Sequence, residues 1–138
     1  MNALGKLWAA YSGLTAAAVG INVVIAPLYA DRVGPVWDAF NWLMAPAALG
    51  ALIVYARGKL RLAPADGADL RRYMNVNVGF YAALVMTVWF YSNWFTEFAD
   101  QDATVSWSFV NALFLVVVGS AAVRVWRACD PAERPPSK

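Results

Sequence analysis

The sequence predicts an all-α membrane protein: four transmembrane helices in an up-down bundle of two hairpins, with the N and C termini cytoplasmic. Three observations predict it. Apolar residues make up 61% of the 138, and charged residues only 14%, against about 25% charged in a typical soluble domain. The apolar residues gather into four runs, each able to supply the ~20 residues that cross roughly 30 Å of hydrocarbon. The basic residues cluster between the second and third runs and around the end of the fourth, and Lys and Arg mark the cytoplasmic side.

The expected helices are 7–29, 36–55, 68–98 and 105–126, forming one domain over 1–129 with a polar, proline-rich tail at 130–138. Strands are excluded because the runs are continuous rather than alternating, and an open sheet edge cannot be satisfied in lipid. The first run is longer than the ~7–15-residue core of a signal peptide, and Pro27-Leu28-Tyr29 offers no small-residue cleavage site. It reads as an uncleaved anchor. Ala9, Gly13 and Ala17 recur every four residues along it, and Ala16 pairs with Gly20. Such spacing lets backbones approach closely. With Ala47, Gly50 and Ala51 on the second helix, it predicts tight packing of the first helix on the second.

Gly34-Pro35 mark the turn into the second helix, where a first-turn proline loses no needed hydrogen bond. Pro46 lies well inside that helix, frees the carbonyl of Trp42 and predicts a kink. Pro64-Ala65-Asp66-Gly67 reads as a turn, with Asp66 capping the third helix and Asp69 in its first turn. The third helix carries aromatic residues around most of its circumference. Trp89, Tyr91, Trp94 and Phe95 are its candidate face for a partner or for lipid. The fourth helix has Gly119, Ser120 and Ala122 for close packing.

Lys6, Arg57, Lys59, Arg61, Arg71, Arg72, Arg124, Arg127, Arg134 and Lys138 fall on one side of the spans, and Arg32 alone on the other. That distribution puts both termini and the middle loop inside. Trp37, Trp42, Trp94 and Trp107 form an outer aromatic belt, and Trp8, Tyr55, Tyr73 and Trp126 an inner one. The expected location is a plasma or inner membrane, spanned several times.

The two hairpins share a pattern in the same direction. Asn22 precedes Tyr29-Ala30-Asp31, then Trp37 with Asn41 four residues later. Asn93 precedes Phe98-Ala99-Asp100, then Trp107 with Asn111 four residues later. This suggests hairpins related by an axis along the membrane normal. Each asparagine lies about five to seven residues from the outer end of its helix, so the four share one depth, roughly 8–10 Å in. Asn22, Asn41, Asn93 and Asn111 are therefore a candidate polar layer. One reading is structural: polar contacts of about 0.6 kcal/mol each that specify which faces meet. The other is a ligand site for a lipid headgroup, a quinone carbonyl or a pigment.

Several function classes are disfavoured. The chain has no histidine, which removes the commonest general base and metal ligand. Its one cysteine, Cys129, lies past the last apolar run and reads as a free thiol in a reducing compartment. No nucleophile and base pair up, so no catalytic residue, metal site or intrinsic cofactor is expected. Asp31, Asp38, Glu97, Asp100 and Asp102 read as solvated acids at the outer end. The centre of every span lacks an ionisable group, against ion-coupled transport. The net charge of +2 comes without a basic patch and points to no nucleic acid.

What remains is a non-catalytic membrane subunit that packs against a larger complex and binds lipid or pigment. The expected partners are membrane lipids and other integral membrane subunits. In size and helix count the chain is also similar to the small membrane subunits of tripartite substrate-binding transporters. That similarity of architecture implies the alternative, a small component of a transporter or channel.

Overall fold

The structure is a computed structural model, and it describes residues 2–61, 70–99, 101–102 and 105–129. Helix α1 spans Asn2–Ile25, α2 Val33–Leu60, α3 Leu70–Phe98 and α4 Trp107–Cys129. All four are long and apolar enough to cross a membrane, and they pack together, consistent with a multi-pass membrane protein. The expected turn at 64–67 with its Asp66 cap, Asp69, Asp100 and the tail 130–138 lie outside the described residues.

The helices run past the apolar runs where charged residues can take over. α2 continues to Leu60, with Arg57 and Lys59 in its last turn, where cations complement the helix dipole. α1 stops at Ile25, two residues before Pro27, because proline lacks the N–H and disfavours helical backbone before it. From there Ala26–Arg32 forms 3₁₀ turns broken at Tyr29, whose φ of −134° and ψ of 43° turn the chain toward α2.

The small residues of α1 meet α4, not α2. α1 and α4 form the most extensive pairing in the molecule, whereas α1 touches α2 far less. Gly5 lies against Cys129 and Val125, Gly13 against Ala122, and Gly20 against Leu115. Ala9, Ser12 and Ala16 are buried on the same side, while Ala17 faces outward. The four-residue spacing marked a close approach correctly, but many helix faces can accept one.

α2 and α3 form the second pairing. Trp42 and Trp94 meet edge to face at 4.8 Å, a favoured geometry for aromatic pairs. The Tyr55 ring lies flat in the space left by Gly79. Its hydroxyl is 2.6 Å from Ser120 Oγ on α4, and Ser120 in turn donates to the Val116 carbonyl. α2 runs unbroken through Pro46. Two tyrosines grip the turn around it: Tyr11 of α1 donates to the Leu43 carbonyl at 2.5 Å and Tyr91 of α3 to the Ala45 carbonyl at 3.0 Å. Neighbours supply such contacts where proline thins the helical ladder. Val19, Met44, Met86, Phe90, Val110, Phe114 and Val118 fill the fully buried centre.

The two ends of the bundle differ. At one, cations lie over aromatic rings: Lys59 over Phe80 and Tyr81, Arg124 over Tyr55 and Lys6 over Trp126. Such contacts let an aliphatic stem cover apolar surface while its charge stays near water. The opposite end carries carboxylates and a cavity.

Candidate functional site

All four asparagines of the expected layer are buried, between 0% and 5% exposed. Their partners divide them into two pairs. Asn22 and Asn93 hold chain reversals. Asn22 Oδ1 accepts a hydrogen bond from the Tyr29 hydroxyl, where the chain leaves α1. Asn93 makes two bonds to one residue: its Nδ2 donates to the Val105 carbonyl at 2.6 Å, and its Oδ1 accepts from the Val105 N–H at 3.1 Å. The side-chain amide thus pairs with a peptide group ahead of α4. Thr96 adds a bond from its hydroxyl to the Asn93 carbonyl at 2.7 Å.

Asn41 and Asn111 instead border a cavity of ≈590 Å³ at the carboxylate end. α2 contributes Trp37, Asp38 and Asn41, and α4 contributes Trp107, Ser108 and Asn111. The pattern is the same on both helices: a tryptophan, a short polar residue after it, and an asparagine four residues on. Residues four apart stack on one helical face, so each helix presents an indole and an amide to the same space. Val23 of α1 and Ala26 of the 3₁₀ turns close one side, and Glu97 enters from the last turn of α3.

Glu97 and Asp38 set the electrostatics. Asn41 Nδ2 donates to Glu97 Oε2 at 3.2 Å, and the Trp107 side chain lies near the same carboxylate. Asp38 is close enough for its charge to act on Glu97. Neither acid has an ion-pair partner among the described residues, and no Lys or Arg borders the cavity. Asn111 Oδ1 is buried without a hydrogen-bond partner. Native structures pair the great majority of such atoms.

By sequence alone, Asp38 and Glu97 belong with the solvated outer acids. Both are exposed side chains, yet both also face the cavity. The signal that finds Asp38 is its position between Trp37 and Asn41. Nothing in the sequence brings Glu97 to that face, because α3 joins it only through packing.

The aromatic residues of α3 also divide. Trp94 is 8% exposed, in ring contact with the buried Phe90 and covered by Trp42, which is itself largely exposed, so it belongs to the bundle interior. Phe95 stacks on its outer side and remains exposed. Trp89 and Tyr91 are half-buried. Around them runs an exposed stripe of Met74, Val78, Tyr81, Val85, Val88 and Phe95 at helical spacing. Among the described residues no group of three or more acids or thiols could hold a metal ion.

No protein-family model matches the chain, and no curated protein or solved structure resembles it closely enough to count as a match.

Proposed function

We propose that this chain is a non-catalytic integral membrane subunit that packs against and stabilises a larger membrane protein complex. The helices form an up-down bundle with both termini on the cytoplasmic side. Two contact series support the alternation: Gly5 to Gly20 on α1 meets Cys129 back to Leu115 on α4, and Trp42 to Tyr55 on α2 meets Trp94 back to Gly79 on α3. The cation-rich end then faces the cytoplasm of a plasma or inner membrane, as the distribution of Lys and Arg requires.

The observation that carries the reading is the outward stripe of α3, which ends at Phe95 and has Tyr91 and Trp89 at its flank. Rigid aromatic groups backed by a packed layer are the anchors that helical partners use. Purification of the native protein in mild detergent tests it. The expected result is a stoichiometric heteromeric complex, from which Phe95→Ser releases this chain without unfolding it. Recovery of a lone homo-oligomer with a water-filled centre would refute it.

The cavity favours a second reading, a small component of a transporter or channel. Its wall of indoles, amides and carboxylates is the kind of surface that holds a small molecule in transit. A homo-oligomer that changes the permeability of liposomes would favour this reading.

A further inference from the structure

We infer that the cavity between the two Trp-x-x-x-Asn faces binds a hydrophobic organic cation: an ammonium group attached to an apolar body. The inference rests on the membrane-bundle reading above and is independent of which subunits surround the bundle. Four observations converge on it.

Charge comes first. Asp38 and Glu97 both border the space, and neither is neutralised by a cation among the described residues. An anionic ligand would meet two like charges and no Lys or Arg along the lining, which argues against any ligand of net negative charge. A neutral ligand would cover the acids without compensating them, which is costly in a partly dry site. The second is the walls. Trp37 and Trp107 both border the space, and indole faces attract cations electrostatically, above all weakly hydrated ones.

The third is size. At ≈590 Å³ the space falls in the range of about 300–1,000 Å³ that holds drug-sized ligands. A bare metal ion would leave most of it empty. A hard cation such as calcium also wants about six to eight oxygen ligands, whereas much of the lining is apolar, with Val23, Ala26, Pro27 and Val33 on one side. The fourth is Asn111. It is 5% exposed, borders the cavity and carries an unpartnered carbonyl oxygen. A buried acceptor without a donor is what an ammonium N–H, or the polarised C–H groups of a quaternary ammonium, would satisfy.

The cation could be a zwitterionic lipid headgroup or a free amphiphile, and the test separates them. The purified full chain is placed in nanodiscs of phosphatidylglycerol, whose headgroup has no ammonium. Benzyltrimethylammonium is titrated in by calorimetry, with neopentylbenzene, its uncharged carbon isostere, as control. The expected result is saturable binding of the cation, weakened about tenfold by Asp38→Asn and by Glu97→Gln, as befits loss of a charge-assisted contact. Both side chains are exposed, so neither variant should disturb folding, and circular dichroism checks this. Equal binding of neopentylbenzene, indifference to both substitutions, or displacement by equimolar calcium would overturn the inference. In the supported case, weaker apparent binding in phosphatidylcholine nanodiscs assigns the site to a lipid headgroup, and unchanged binding assigns it to a free amphiphile. Failure here with the native complex intact removes only the ligand. Success with no complex removes only the subunit reading.

Discussion

Asn93→Leu isolates what the side-chain amide contributes ahead of α4. Leucine keeps asparagine's branching and heavy-atom count, so the side chain at this fully buried position keeps its outline while both bonds to Val105 disappear; its greater bulk can only add to the cost. Two neutral hydrogen bonds contribute about 0.5–1.5 kcal/mol each, net of the water they replace. Val105 is half-buried, so its freed N–H and carbonyl regain some solvent rather than staying dry. The expected destabilisation is therefore about 2 kcal/mol, in the middle of that range. Unfolding in mixed micelles, followed by far-ultraviolet circular dichroism, measures it. Hydrogen exchange at the Val105 amide supplies the local readout, since that N–H loses its acceptor at 3.1 Å. Stability within about 0.5 kcal/mol of the unsubstituted protein, with Val105 exchange unchanged, would refute the reasoning and leave Asn93 free for another role.

Three further outcomes are expected. Gly79→Ala puts a methyl group into the Tyr55 ring, which is buried and tied to Ser120; overpacking of this kind costs about 1–3 kcal/mol, read in the same unfolding assay. Tyr91→Phe removes the donor to the Ala45 carbonyl and should cost about 1 kcal/mol, with faster exchange of α2 amides near Pro46. In a Cys129→Ser background, Gly58→Cys and Gln101→Cys should react with a membrane-impermeant thiol reagent from opposite sides, with Gly58→Cys accessible only from the cytoplasm. A Cβ placed at Gly58 meets no neighbour within 4 Å, so the substitution starts into open space.

The spans were legible because hydrocarbon imposes a length and a composition that few other structures share. The Trp37–Asn41 and Trp107–Asn111 spacings were legible as well, since four residues on a helix means one face, and both faces meet in one cavity. The partner of α1 was not. Small residues permit close approach without naming what approaches, and the glycines of α1 meet α4 through packing that only the assembled bundle decides. Trp94 shows the same limit: aromatic residues around a helix do not announce which of them will turn inward, as Trp94 does against Phe90. The division of the asparagines into turn-holding and cavity-lining pairs depended on Val105 and Tyr29, residues whose roles arise where the chain reverses. Glu97 was hidden for a related reason, because its amide partner Asn41 lies 56 residues away along the chain.

The seam between α1 and α4 also dictates an order of events during biosynthesis. Helix α1 leaves the ribosome with its glycine side open to acyl chains, and its main counterpart, α4, is made only after α2 and α3. Until that arrives, the growing chain can join α2 to α3 but cannot close. A polypeptide arrested before the fourth insertion would display an unfilled groove of glycine and alanine to the bilayer, a ready mark for quality-control proteases. Closure of these four helices is thus reported by α4.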